Sequence, residues 1–320
     1  MQGLVTVFGG SGFVGAQVVR ALAKRGYRVR VAVRRPGHAY RMRMLGDVGQ
    51  IEVVQANVRV PASVARALTG AEACVNLVGV LHESGRQKFQ SVHAMGAKTV
   101  AEAAAAAGVK RLAHVSAIGA DAGSAAKYAR TKALGEAAVR EAFPSATILR
   151  PSIVFGPGDH FFNRFGQMAT LSPVLPLIGG GETRFQPVFV GDVAAAVARA
   201  VADPATAGKT YELGGPGVYS FKALMQLMLR EIDRKRILLP IPFPVARVMG
   251  ALAEIPSAVI PPPLTADQVE LLRSDNVVSA GALTLADLGV EPTAVEAIIP
   301  SYLFRYRKGG QYAEALASGA

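Results

Sequence analysis

Five mostly apolar residues, Leu4 to Phe8, run into Gly9-Gly10-Ser11-Gly12-Phe13-Val14-Gly15, and a helical pattern begins at once. A strand that turns on glycines into a helix commits the start of the chain to an α/β fold, because the helix must cross back over a sheet. Gly9 permits the tight turn, Gly12 lets a ligand approach the backbone, and Gly15 lets the helix lie close to the strand. Ser11, Phe13 and Val14 complete the turn, and the amides at that helix end carry a partial positive charge that suits a pyrophosphate. The flanking strand, the helix Ala16 to Lys24 and a second strand Val29 to Val33 give the context the motif requires. Dinucleotide binding is the expectation.

The alternation continues. Further strands are expected at Ile51–Gln55, Ala73–Leu77, Arg111–Ser116 and Ala146–Arg150, with helices near Pro61–Leu68, Gln90–Ala107 and Ala126–Ala142. Apolar strands separated by amphipathic helices imply a Rossmann-type doubly wound parallel sheet with right-handed crossovers. From about Pro151 prolines, a glycine run (Gly179 to Gly181) and longer loops set in. The expected division is a dinucleotide-binding core over 1–155, a smaller C-terminal substrate-side lobe over 156–310 interwoven with it, and a frayed tail over 311–320. The alanine-rich run Ala101 to Ala107 reads as a small-residue helix face that packs internally, with a subunit contact as the alternative.

Composition narrows the classes. A single cysteine, Cys74, cannot form an internal disulfide, and five scattered histidines show no metal-ligand spacing. With the first strand at residue 4, no signal or transit peptide is expected. The longest apolar stretch, Ile237 to Pro263, holds Arg247, Glu254 and seven prolines and makes a poor spanning helix. A net charge of +12 favours anionic ligands, acidic protein surfaces or an anionic membrane surface. No aromatic-basic ladder accompanies that charge, which argues against nucleic acid.

The pocket can be followed along the sheet edge. A fold that prefers NAD places an acid after its second strand, whereas this chain has Val33-Arg34-Arg35-Pro36. A guanidinium takes a 2′-phosphate in a bidentate manner, so NADPH or NADP⁺ is favoured over NAD, with Arg34 and Arg35 as the ligands. Asn57 and Val58 follow the third strand, where a polar side chain and an amide can meet the adenine. The fourth strand ends in Asn76-Leu77-Val78-Gly79, and Val78 and Gly79 offer backbone to the cofactor. Tyr128 and Lys132 stand four apart on one helical face. A lysine beside a phenol favours the phenolate, and a tyrosine so tuned moves a proton to or from a carbonyl while hydride is transferred.

These residues resemble the short-chain dehydrogenase/reductase superfamily in its extended and atypical branches. The glycine turn, Asn76 to Gly79, the Tyr128/Lys132 pair, Arg150-Pro151-Ser152-Ile153-Val154-Phe155-Gly156 and Val188-Phe189-Val190-Gly191-Asp192-Val193-Ala194 stand in the family's order. By that resemblance Pro151 to Val154, Ile153 among them, line the nicotinamide, and Lys132 also holds its ribose. A closer likeness is carried by Pro151 through Gly158-Asp159-His160-Phe161-Phe162-Asn163-Arg164-Phe165, by Leu264 to Asn276, and by Ala297-Ile298-Ile299-Pro300-Ser301-Tyr302-Leu303. These stretches resemble the NADPH-binding accessory subunits of respiratory complex I. The resemblance implies a peripheral subunit that holds NADPH as a structural ligand and contacts other subunits of a respiratory complex. It implies a place on the cytoplasmic side of a bacterial inner membrane or the mitochondrial matrix side. The alternative is a soluble, cytoplasmic NADP-dependent reductase or epimerase, a homodimer in that case, acting on a sugar nucleotide, steroid or quinone-like carbonyl with Tyr128 as acid/base. A nucleotide-dependent redox sensor is a third reading.

One departure bears on catalysis. Enzymes of the extended branch carry a hydroxyl after the fifth strand to orient the substrate carbonyl, but here Ser116 is the sole hydroxyl and the position two further on is Ile118. Loss of such a donor costs about 2–4 kcal/mol of transition-state stabilisation. Among other polar residues, Asp159-His160 reads as a loop hydrogen-bonding pair or a neighbour contact, and His114 as a satisfied core histidine. His82 and Glu83 lie at the cleft rim, where either can touch a substrate. Val245, Val248, Met249, Leu252 and Ile255 fall at near-helical spacing over Pro244–Ile255, which reads either as a membrane or partner surface or as packing onto the sheet domain.

Overall fold

A computed structural model of the chain describes residues 2–254 and 264–310. The described residues fall into two compact units, 2–151 with 190–213 and 279–291, and 152–189 with 214–254, 264–278 and 292–310. The first crossing thus comes at 151/152, four residues before the expected boundary, and two later segments return to the first unit. The expected tail over 311–320 lies outside the described residues, as does Ile255.

The first unit is built on strands β1 (Gln2–Phe8), β2 (Tyr27–Val33), β3 (Ile51–Gln55), β4 (Ala73–Asn76), β5 (Arg111–Val115) and β6 (Thr147–Pro151). A seventh strand, Thr210–Leu213, joins from one of the returning segments. All neighbours pair in parallel, in the order Thr210–Leu213, β6, β5, β4, β1, β2, β3. The order reverses between β1 and β4, and a crevice outside the carboxyl ends of the strands at such a switch is where open parallel sheets take ligands.

Helices cover both faces. α1 (Phe13–Lys24) packs with the returning helix Val190–Ala202, while α2 (Pro61–Leu68), α3 (Met95–Ala106) and α4 (Lys127–Ala142) pack side by side. The core under these three is made by Phe8, Cys74, Leu112 and Ile148 from the sheet and by Val64, Leu68, Ala97, Val100, Ala101, Ala104 and Val139 from the helices. Ala101 and Ala104 therefore pack internally, as expected, whereas Ala105 to Ala107 are exposed. The segment expected as one helix from Gln90 is a π-helical turn, Gln90–Ala94, running into α3.

The second unit has short strand pairs, Val154–Phe155 with Val188–Phe189, Val174–Ile178 with Ile237–Ile241, and Arg184–Phe185 with Tyr219–Ser220. Its core gathers Phe155, Phe162, Leu175, Leu224, Met225, Met228 and Tyr302. The helix Phe243–Glu254 packs on Ala266–Leu271, where Gly250 comes so close that a Cβ would meet the Ala266 nitrogen at 2.8 Å.

Candidate functional site

The glycine turn has the geometry its sequence requires. Gly9 takes φ +79°, a left-handed conformation, and its carbonyl accepts the Gly12 N–H at 3.1 Å. A Cβ on Gly15 would stand 2.3 Å from the Gly9 oxygen, so only glycine lets α1 approach the turn. A Cβ on Gly12 would meet nothing in the protein closer than 3.4 Å, and Gly12 is exposed. The open side of the turn faces outward. Gly12 caps α1 without a side-chain hydrogen bond, and the first turn holds no acid. The uncapped amides of a twelve-residue helix, flanked by Ser11, Phe13 and Val14, form a cradle suited to an anion.

Arg34 and Arg35 follow β2 directly and are exposed. Among the described residues neither forms an ion pair, so the guanidinium groups are available to a phosphate. Asn57 is tied into the turn after β3. Its N–H donates to Ser63 Oγ at 2.9 Å and its Oδ1 accepts the Arg59 N–H at 3.1 Å, so both groups close the local turn. Val58 is buried in the helix-side core, where its side chain limits Gly96.

At the ends of β4 and β5 the register sets Phe8, Asn76, His114 and Ile148 in one row across the sheet. Asn76 Oδ1 accepts the Val78 N–H at 3.1 Å, and Asn76 Nδ2 donates to His114 Nδ1 at 3.2 Å. His114 Nε2 then carries the proton and finds no partner among the described residues. The histidine expected to be satisfied is half-satisfied, and burial holds its pKa down at about 3. Just past the end of β5, Ser116 Oγ is also buried and without a partner among the described residues. Two orphaned buried donors near the carboxyl end of β5 fit a ligand with acceptor groups.

Tyr128 and Lys132 lie in the first two turns of α4. Lys132, 6% exposed, donates to the Val115 carbonyl at 3.2 Å, and its Nζ stands 6.0 Å from the Tyr128 ring centroid. Burial pulls the ammonium down to about 8, opposed by Glu136. Burial also pushes the phenol up to about 12. Burial thus works against the phenolate that the neighbouring ammonium favours. Gly79 is exposed, and a Cβ there would lie 3.5 Å from Lys132 Nζ and 3.7 Å from His93 Nε2.

His93 escaped the sequence reading. It is 2% exposed, accepts the Val80 N–H at Nε2 (3.0 Å), and meets Thr131 Oγ1 at Nδ1 (3.1 Å). Phe89 stacks on its ring at 5.3 Å and Tyr128 meets it edge-on at 5.2 Å. Two signals were present: a histidine in the apolar stripe with Ala97, Val100 and Ala104, and a glycine, Gly135, inside α4. A Cβ on Gly135 would stand 2.3 Å from the His93 carbonyl, so glycine lets the two helices close there.

Pro151 ends β6, and its carbonyl accepts the Ile118 N–H at 3.0 Å. Ile118, where a hydroxyl would orient a substrate, is buried. Ile153 belongs to the second unit and is half-buried, its carbonyl accepting the Val188 N–H at 2.9 Å. In that unit Asp159 accepts from the Tyr302 hydroxyl at 2.6 Å, the Gly156 N–H at 3.1 Å and the Asn163 N–H at 3.2 Å. This is the loop hydrogen bonding expected of Asp159, and His160 is exposed. Glu83 accepts the Phe89 N–H at 2.9 Å, which fixes its own loop.

Residues 5–214 match the NAD dependent epimerase/dehydratase family. The chain is 36% identical to the mitochondrial NADH dehydrogenase (ubiquinone) 1 alpha subcomplex subunit 9 of Arabidopsis thaliana, over 97% of this chain and 80% of that one. It is 31% identical to the mitochondrial NADH-ubiquinone oxidoreductase 40 kDa subunit of Neurospora crassa, over 96% and 80%. A shorter match, 39% identical over 61% of this chain and 59% of the other, is to a ceramide reductase of Caulobacter vibrioides. Among solved structures, an NADPH-dependent quinone oxidoreductase of Escherichia coli complexed with NADPH superposes with a TM-score of 0.72 at 22% identity, over 92% and 97% of the two chains. That likeness is one of fold.

Proposed function

The chain belongs to the NAD dependent epimerase/dehydratase family, and from that premise we propose that it is an NADP(H)-binding accessory subunit of a respiratory NADH:quinone oxidoreductase, with a structural or assembly role. The observation that carries this is likeness over nearly the whole chain, 97% of it in the Arabidopsis comparison, to a subunit of that complex. Gly9, Ser11, Gly12, Phe13, Val14 and Gly15 would hold the pyrophosphate, and Arg34 and Arg35 the 2′-phosphate that separates NADPH from NADH. Val78, Gly79 and Pro151 would line the nicotinamide side, with Tyr128 and Lys132 holding its ribose and Ser116 facing it. When bound, the dinucleotide supplies a hydride donor or acceptor. The chain's own groups serve that chemistry only in part: a protonated Tyr128 would supply the proton a carbonyl reduction needs, but Ile118 leaves the substrate carbonyl without a second donor.

A peripheral place on the inner membrane, facing the bacterial cytoplasm or the mitochondrial matrix, goes with this reading. Among the described residues no helix is long and apolar enough to cross a membrane. The helix Phe243–Glu254 instead turns Val245, Val248, Met249 and Leu252 outward, 48–61% exposed, with Arg247 also exposed. Four of the five apolar residues expected either to pack on the sheet domain or to face outward are thus exposed, the fifth, Ile255, lying outside the described residues. An apolar stripe with a cation beside it, on a chain of net charge +12, suits an anionic membrane surface.

The test is to recover the tagged chain from its own membranes by mild solubilisation and native electrophoresis. Co-migration with NADH:quinone oxidoreductase activity, with NADPH or NADP⁺ released on denaturation, is the expected result; migration as a free protein overturns it. The likeness to a ceramide reductase favours a second reading, an NADP-dependent reductase of a carbonyl substrate. Under that reading the isolated protein would oxidise NADPH in the presence of a carbonyl panel, and Tyr128→Phe would abolish the activity.

A further inference from the structure

We propose that His93 is a positioning residue for the nicotinamide half of the nucleotide site, joining the backbone after β4 to helix α4 beside Lys132. The proposal rests on the reading that this sheet edge takes NADPH.

The hydrogen bonds fix the imidazole in one state. Nε2 accepts from the Val80 backbone N–H, so in the neutral ring Nδ1 carries the proton and donates to Thr131 Oγ1. The Thr131 hydroxyl, its lone pair taken by His93, turns its own proton back to the Lys127 carbonyl at 2.9 Å or the Tyr128 carbonyl at 3.1 Å. A relay of fixed direction thus runs from Val80 through His93 and Thr131 into the first turn of α4. Burial, with Lys132 nearby, lowers the His93 pKa to about 3, so the ring stays neutral at any ordinary pH and the direction does not reverse.

What this joins matters more than the bonds themselves. Val80 follows Val78 and Gly79, two of the residues expected along the nucleotide, while Thr131 immediately precedes Lys132 and lies three residues after Tyr128. The ring also supports Tyr128 directly through its edge-on contact at 5.2 Å. The adenine end is built elsewhere, from the glycine turn and from Arg34 and Arg35 at the end of β2. His93 should therefore govern one half of the ligand and not the other.

Titration of the full-length protein with two ligands separates the halves: NADPH, followed by its fluorescence or by calorimetry, and adenosine 2′,5′-bisphosphate, which lacks the nicotinamide riboside. His93→Ala should weaken NADPH about tenfold or more while leaving the bisphosphate within about twofold, since removing the ring leaves the Val80 N–H without its acceptor and cuts the tie between that backbone and Thr131. His93→Asn, whose shorter amide can keep a donor near the Nδ1 position but does not reach the Nε2 position where Val80 donates, should fall between wild type and His93→Ala. Thr131→Val, nearly the same size, should show the same selective loss and serves if His93→Ala does not fold. Equal loss of both ligands would make His93 a residue that merely holds the fold, and an unchanged NADPH affinity would remove any role; either overturns the proposal. If wild-type protein binds neither ligand, the nucleotide reading itself falls and takes this proposal with it. If it binds both, only the His93 assignment is at stake.

Discussion

At Lys132 burial and charge pull against each other, and the balance makes pH a probe of the site. The folded-state pKa of about 8 lies below the ordinary 10.5. Between those values the unfolded chain holds more protons than the folded one, so stability rises with pH across about 8 to 10.5. Below 8 both states hold the proton and the full cost of burying the ammonium is present. Denaturant melts should therefore show wild type gaining on Lys132→Met from pH 8 to 10.5; a difference flat with pH would contradict the assignment. NADPH affinity should move the opposite way, falling above pH 8 as the donor to the ribose loses its charge. Arg34→Asp should weaken NADPH at least tenfold and NADH far less, because a charge-assisted pair at the 2′-phosphate becomes a repulsion; equal losses in paired titrations would refute the 2′-phosphate role. These residues were legible in the sequence because the features that expose them are local: glycines in a turn, arginines after a strand, a tyrosine and lysine one helical turn apart. The proton affinity of Tyr128, the capture of Asn57 by Ser63 and Arg59, and the role of His93 depend on partners brought by the fold, and local spacing does not carry them.

Among the elements, α4 is held to the sheet by charge as well as by packing. Arg150 on β6 meets the buried Glu136 of α4 through paired bonds of 2.9 and 2.6 Å and reaches Glu212 at 3.5 Å, while Glu212 also accepts the Ser279 N–H at 2.8 Å. One carboxylate thus anchors the helix that carries Tyr128 and Lys132, and the other ties down a returning segment. Glu136→Gln leaves the guanidinium short of a partner and should cost on the order of 3 kcal/mol, seen as a lower midpoint in thermal or denaturant melts. A loss below about 0.5 kcal/mol would show the pair to be incidental. The helix Phe243–Glu254 makes the opposite prediction. Val248→Glu with Leu252→Glu should leave stability within about 1 kcal/mol, since both side chains are exposed, yet reduce sedimentation with anionic vesicles severalfold. Undiminished sedimentation would count against the membrane face. Periodicity was enough to find this helix, but not to say which stripe is covered. That depends on Ala246 and Gly250 meeting the segment from Thr265, about fifteen residues further on.

For the whole molecule, the sheet was readable because each of its first six strands is followed by a turn or helix with its own signal. The seventh was not. Thr210–Leu213 pairs with β6 some sixty residues earlier and receives Leu283 on its other side, so its assignment rests on long-range pairing alone. The same holds for the helix Val190–Ala202, which packs on α1 across the chain. This interleaving bears on what a bound nucleotide would do. The returning segments are part of the unit that carries the glycine turn, so a ligand held by that turn adds its binding free energy to the folding of a unit assembled from three stretches of chain. A ligand bound only by the folded state adds about 2.7 kcal/mol at a hundredfold excess over its Kd. Protein stripped of nucleotide should consequently melt several degrees lower than protein as isolated, and NADPH should restore the difference where NADH at the same concentration restores little. If stripped and untreated protein melt alike, or if both dinucleotides act equally, the nucleotide is not a structural ligand chosen by its 2′-phosphate. If the subunit turns over no substrate, this stabilisation would be the ligand's whole contribution, and the melt would then measure the proposed role directly rather than a by-product of catalysis.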